Sequence, residues 1–195
     1  MNVCNNTMTL NDIHKILNPD EQVAFESILT KREIKKGDFL IKENTIADKI
    51  FFIELGACRS YFIKDGEEIT DFFFFDGDFA TDFASYCSGK PSLLNLSCIE
   101  DTIVLEMKKN DLEKLYRQSI TFSEIGRLNA EFSFVVVEER MRLLHTESLE
   151  VKYNWILKNF PQVFQRVPQY YIASFLGVKP QSLSRIRAKL SGKTY

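Results

Sequence analysis

The 195-residue sequence lacks any apolar run near the ~20 residues that a helical membrane crossing needs. Its densest aromatic stretch, Phe72 to Phe75, is bracketed by Asp71 and Asp76. The first ten residues, MNVCNNTMTL, do not pair a basic segment with an apolar one. No secretory signal is therefore read, and a cytoplasmic location is expected. Cysteine is scarce. Cys4, Cys58, Cys87 and Cys98 are scattered without a Cys-x-x-Cys pair, which suits free thiols in a reducing compartment better than a disulfide framework or a zinc site. Only Cys4 lies near the amino terminus, so a four-thiolate iron–sulphur cluster is not expected. His14 and His145 are the only histidines, and a surface or packing role outweighs haem ligation for a lone helical histidine. Gly-x-Ser-x-Gly, His-Glu-x-x-His and phosphate-loop patterns are missing too, so nothing in the sequence asks for catalysis, and no metal or cofactor is assigned. One further absence is positional: no acidic residue follows Glu150.

That absence splits a nearly neutral chain. The net charge is −2, from 25 Lys+Arg and 27 Asp+Glu. Residues 151–195 hold eight cations and no acid (Lys152, Lys158, Arg166, Lys179, Arg185, Arg187, Lys189 and Lys193) and carry +8. Residues 1–150 hold 17 cations and 27 acids and carry −10. Solvated faces usually mix signs, so a segment of one sign points to an acidic partner such as nucleic acid.

Turn residues and hydrophobic period divide the chain further. Asn18-Pro19-Asp20-Glu21 predicts a helix start, with a capping Asn, Pro in the first turn and acids at the positive end of the dipole. From about Arg32 the pattern becomes strand-like. Turns at Gly37-Asp38, Gly56, Asp65-Gly66 and Asp76-Gly77-Asp78 separate the Phe-, Ile- and Tyr-rich runs 49–55, 57–63 and 68–75, and 98–107 adds a further strand pair. Strands at roughly ten-residue spacing predict an antiparallel β-roll of the double-stranded jelly-roll type. Strict alternation would turn two of the four residues Phe72–Phe75 inward and two outward, towards a helix or a second subunit. Lys109-Asn110-Asp111-Leu112 predicts a helix start with an Asn or Asp cap. Residues 121–145 then predict one long helix, with Phe122, Ile125, Phe132, Val136 and Leu143 at near-heptad steps interrupted by Asn129 and Glu139. Such a stripe serves a helix packed on its own domain as well as one that joins two subunits, and Val135-Val136-Val137 adds a second surface. Further helices are expected at 149–160, 168–176 and 180–190. The class is α+β: a β-roll with flanking helices in residues 1–120, a long helix in 121–147 and a small all-α domain in 148–195.

The last two helices, joined by Leu176-Gly177-Val178-Lys179, match a helix-turn-helix. Ile172 and Leu176 would pack inward, Gly177 would turn the backbone with positive φ, and Leu183 and Ile186 would bury one side of the second helix. Lys179, Gln181, Ser182, Arg185 and Lys189 would then face outward. In a major groove Gln pairs with adenine and Arg with guanine, while Lys and Ser reach phosphates.

The β-roll turns, the long helix and VPQYYIASFLGVKPQSLSRIRAKL together resemble the Crp/Fnr family of bacterial transcription regulators. The likeness runs over about residues 10–190 and is most specific in IASFLGVKPQSLSRI, with the small residue Ala173, turn Gly177 and recognition-helix Arg185. It implies a cyclic-nucleotide-binding-type roll, a dimer helix in 121–145 and a helix that reads DNA. Double-stranded DNA, a second copy of the chain and RNA polymerase are the implied partners. Two departures stand out. The family's phosphate cassette has Gly-Glu followed ten residues later by Arg-Ser, and the matching stretch here puts Asp82, Ser92 and Leu93 in those places. A buried phosphodiester needs a fork-like cation or several backbone donors, so cyclic AMP is not expected to bind in the usual way. Lys90, two residues before Ser92, could supply only a point charge. Thr81, Asp82, Phe83, Lys90, Ser92 and Leu93 mark the effector pocket, whose small-molecule effector stays unidentified if there is one. Second, only Ser191 to Tyr195 follow Leu190, too few for the family's two-stranded wing. The competing reading is a ligand-binding or interaction module whose helix-turn-helix reads no DNA.

Overall fold

The computed structural model describes residues 8–190. Cys4 and the 191–195 segment lie outside the described residues. Helices α1 (Leu10–Ile16) and α2 (Pro19–Ser27) lead into β1 (Thr30–Ile34), β2 (Phe39–Ile41), β3 (Lys49–Leu55), β4 (Ala57–Lys64), β5 (Glu67–Phe75) and β6 (Phe79–Ala80). A short α3 (Phe83–Ser88) interrupts the strands before β7 (Asn95–Cys98) and β8 (Thr102–Lys108). The rest is helical: α4 (Lys109–Gln118), α5 (Ile120–Thr146), α6 (Leu149–Asn159), α7 (Val163–Arg166), α8 (Gln169–Phe175) and α9 (Pro180–Leu190).

The strands form two four-stranded antiparallel sheets, ordered β1-β8-β3-β6 and β2-β7-β4-β5. Between them lies an apolar core that includes Ile53, Cys58, Leu96, Cys98 and Val104. A second core joins the outer face of the first sheet, through Phe52 and Met107, to α1, α2, α4 and the start of α5. A third joins the outer face of β4 and β5, through Ala57, Phe73 and Phe75, to α6–α9. Local chemistry explains the element ends. Asn18 and Glu21 form a reciprocal capping box at α2. At α4 the expected Asn or Asp cap is absent: the helix starts at Lys109 with no side-chain cap. The Asp48 carbonyl instead accepts from the Lys109 N–H at 2.8 Å, so the backbone already satisfies that orphan donor. At the β3–β4 turn Gly56 has φ +121°, and an added Cβ would fall 2.7 Å from the Thr102 Cα, so a side chain there would force the strands apart.

Alternation does not split Phe72–Phe75 evenly. Phe74 joins the roll interior, while Phe73 and Phe75 face the C-terminal helices. Phe72 joins them as well, with its ring centroid 5.7 Å from that of Phe160 and 6.4 Å from that of Phe175. Two features allow this. The β4 register shifts between Ser60 and Tyr61, opposite Asp71, and β5 is an edge strand around which a ring can wrap.

Candidate nucleic-acid interface and effector loop

Helices α8 and α9 meet at Gly177, which takes φ +67°. The Gly177 N–H donates to Ser174 O and the Val178 N–H to Ala173 O, both at 3.0 Å, closing α8 with a left-handed cap. Ile172, Ala173, Leu176 and Leu183 are buried, with Ile186 and Val178 packed against them. The apolar side of α9 is thereby locked into the third core. Gln181, Ser184, Arg185 and Lys189 are left exposed beside the exposed Lys179, with Ser182 half-buried. Gln181, Arg185 and Lys189 recur every four residues and share one face. Ser184 belongs to that surface too, which spacing alone did not bring out.

The eight cations do not act as one patch. Arg166 turns inward to Asp76 and Glu100 and lies 5.3 Å from the Phe75 ring. Burial opposes ionisation of Asp76, but the Arg166 guanidinium and the Gly56 N–H outweigh it and hold that carboxyl below its usual range. Lys152 donates to the Leu144 carbonyl at 2.8 Å, and Arg187 lies 6.0 Å from the Phe164 ring. Lys189 pairs with Glu150 at 2.8 Å on the surface. Lys193 lies outside the described residues.

In the roll, Asp82 caps α3 by accepting from the Ser85 N–H at 3.2 Å. Its second oxygen accepts from the Ser92 hydroxyl at 2.7 Å. Both residues are buried, Ser92 completely. The Ser85 hydroxyl ties the loop down by donating to Lys90 O at 2.6 Å and accepting from Ala47 N–H at 3.0 Å. Thr81 donates to Lys49 O at 2.8 Å. The loop's polar groups therefore satisfy one another. Phe83, Lys90 and Leu93 point to solvent, and Leu93 at 73% exposure cannot share a pocket with the buried Asp82–Ser92 pair. The six marked residues thus do not converge on one site.

The stripe read as a subunit seam also needs correction. Phe122, Ile125, Val136 and Leu143 are buried within their own chain, and Phe132 is half-buried. Phe122 and Ile125 complete the core beneath α4. On the opposite side of α5, Phe134, Val137 and Met141 are about half exposed or more, beside the exposed Leu128 and Val135. The heptad-like steps mark the side facing the protein itself.

Sequence reasoning missed the contact that fixes α8 to the roll. Arg59 is 1% exposed on β4. Its guanidinium lies 4.1 Å from the Tyr61 ring and 3.5 Å from the Tyr171 ring, ion-pairs with Glu68 and donates to Thr70 Oγ1 at 3.2 Å. Beside it, Ser174 serves the free edge of β5: its Oγ accepts from Thr70 N–H and donates to Glu68 O, both at 2.9 Å. An Arg alternating with aromatics on a strand next to a predicted helix was the one signal available. Among the described residues no group of three or more His, Cys, Asp or Glu converges to hold a metal ion. Nor is any described helix long and apolar enough to cross a membrane.

Residues 31–119 match the cyclic nucleotide-binding domain family. The anaerobic regulatory protein of Bacillus subtilis (strain 168) is 25% identical over 133 residues, 67% of this chain and 56% of that protein, so the match spans little more than half of the relative. Among solved structures, FixK2 from Bradyrhizobium japonicum superposes with a TM-score of 0.71 at 21% identity, covering 85% of this chain and 86% of the other. A Eubacterium rectale chain described as of the crp/fnr family gives 0.67 at 19% identity, covering 92% and 87%. The chain thus resembles Crp/Fnr regulators in fold and, over residues 31–119, the cyclic nucleotide-binding domain family in sequence. Within the Crp/Fnr frame, the roll, the long α5 and the α8–α9 pair occupy their expected order. Asp82 and Ser92, which the resemblance sets in the places of the family's Glu and Arg, bond to each other.

Proposed function

We propose that the chain is a homodimeric, DNA-binding transcription regulator in which residues 1–120 form an effector or vestigial effector domain, 121–147 join subunits and 148–195 read DNA. The carrying observation is α9: its apolar side is fixed in the core while Gln181, Arg185 and Lys189 share an exposed face free of acids on that helix. Arg185 and Gln181 contact base edges, Lys179, Ser182 and Lys189 contact phosphates, and two copies place their α9 helices in successive major grooves. The subunit-joining face is Phe134, Val137 and Met141. RNA polymerase is a further partner of a regulator of this type.

The roll does not take cyclic AMP in the usual way. Ser92 offers no cation at the phosphate position, and the Asp82 carboxylate it bonds is negative. Selection of binding sites from random DNA tests the reading directly, and paired half-sites about one helical turn apart are expected. Arg185→Ala should erase sequence preference, while Lys189→Ala should weaken all DNA equally. Failure to enrich any sequence would favour a non-reading module. Calorimetry with cyclic AMP and cyclic GMP should show no micromolar binding.

A further inference from the structure

We infer that Cys58 and Cys98 are an oxidisable pair that peroxide closes into an intramolecular disulfide inside the roll. Their Sγ atoms lie 3.6 Å apart, and the residues are 0% and 2% exposed. They stand directly opposite each other on the neighbouring antiparallel strands β4 and β7. Register decides whether such a pair can bond. Ile99 N–H donates to Ala57 O at 2.8 Å, which makes residues 57 and 99 a hydrogen-bonded pair and places the two cysteines at the adjacent non-hydrogen-bonded position. There the Cα atoms of a regular ladder stand about 4.5 Å apart, within the about 4.4–6.8 Å that a disulfide spans. Forming the bond shortens the sulphur separation to about 2.05 Å.

The two thiols are not equivalent. Either sulphur can donate the S–H···S bond between them; with the proton on Cys58, that bond and burial hold the Cys58 proton firmly, and the bond lowers the Cys98 thiol against its own burial. In that arrangement Cys98 is the nucleophile. Its thiolate sulphur attacks one peroxide oxygen, the O–O bond breaks, and hydroxide leaves and takes up a proton as water. The resulting Cys98 sulfenic acid is attacked by the Cys58 sulphur, the S–O bond breaks, and the hydroxyl departs with the Cys58 proton as a second water. Two thiols lose two electrons and one peroxide gains them. At 0% and 2% exposure the pair is closed to bulky disulfide oxidants, so the oxidant tested is the small molecule hydrogen peroxide. Cys87, free and exposed, provides the internal comparison.

The test uses the full chain with Cys4→Ser and Cys87→Ser, folded by circular dichroism and fully reduced. After hydrogen peroxide it is quenched, unfolded, alkylated and weighed. The expected product loses both alkylation sites together, weighs about 2 Da less than the reduced chain and is restored by dithiothreitol. Adding Cys98→Ser, or Cys98→Ala if the serine variant does not fold, should leave Cys58 fully alkylated at the same dose. The inference is overturned if both cysteines still alkylate at a dose that oxidises Cys87 in the parent chain. It is equally overturned if oxygen is added without a cross-link, or if the cross-link forms only in denaturant.

Discussion

A guanidinium buried to 1% exposure needs a counter-charge and surfaces that accept its positive face, and Arg59 has both in Glu68 and the Tyr61 and Tyr171 rings. Because Tyr171 sits on α8, this one side chain belongs to the roll and the C-terminal helices at once. Arg59→Ala should cost about 2–3 kcal/mol in chemical denaturation. Arg59→Lys should recover little of it, since an ammonium cannot stack flat between two rings or reach Glu68 and Thr70 together. Full recovery by Lys would show that charge alone matters. Asp78 offers a second residue-scale test, of opposite sign to most carboxylates. Burial pushes it up to about 6 despite the Phe75 N–H it accepts, and the neighbouring Asp76 adds to the rise. The folded chain thus holds a proton that the unfolded chain releases near 3.8, and stability drains away as pH rises between those values. Asp78→Asn keeps the acceptor and removes the ionisation. Relative to the parent it should gain stability from pH 4 to pH 7.5 in urea denaturation, and a difference constant with pH would contradict this. Asp76 works the other way: held low, it stabilises above the ordinary carboxylate range and is lost as pH falls through it.

At the scale of the element, helix α5 shows how far periodicity reaches. The steps Phe122, Ile125, Phe132, Val136 and Leu143 correctly mark an apolar stripe, but a stripe does not say whose surface it meets. The chain's own α2, α4 and first sheet claim its start. The outward side is then Phe134, Val137 and Met141. If this side joins two subunits as proposed, replacing Phe134 and Met141 together by Glu should leave a monomer in light scattering and lower DNA affinity at least tenfold, with the helical signal unchanged. A variant that remains dimeric would move the interface elsewhere. Other elements were read closely because punctuation defined them: Asn18-Pro19 before α2, Gly56 and Asp65-Gly66 between the strands, Gly177 and Pro180 around the helix-turn-helix. The single-turn α7 and the six-residue α3 were not read, since neither spans enough residues to show a period, although Asp82 and Gly89 do bracket α3 as its caps. The contacts of Arg59, Ser174 and Arg166 across the fold join residues more than 65 positions apart or depend on which strand forms an edge. No local pattern carries that information.

At the scale of the molecule, the third core erases the boundary that charge suggested near Glu150. Phe73 and Phe75 of the roll share one apolar cluster with Ile156, Phe175 and Leu183. Arg59, Ser174 and Arg166 add polar bonds across the same contact. Scanning calorimetry should accordingly give one transition whose calorimetric and van't Hoff enthalpies agree. Leu183→Ala, emptying a fully buried site on α9, should lower that whole transition by about 2–5 kcal/mol rather than split it. Two resolved peaks would mean that the C-terminal helices melt alone.

The same shared core makes the protein a gauge. In the proposed dimer, the packing of α9 and α5 on the roll would oppose any swing of two copies towards a misplaced half-site. One inserted base pair turns the second half-site by about 35° around the duplex. A tethered reader would swing to meet it. The proposed regulator would have to break its Arg59 and Arg166 contacts first, so on that reading spacer length, as much as base sequence, should decide which sites it occupies.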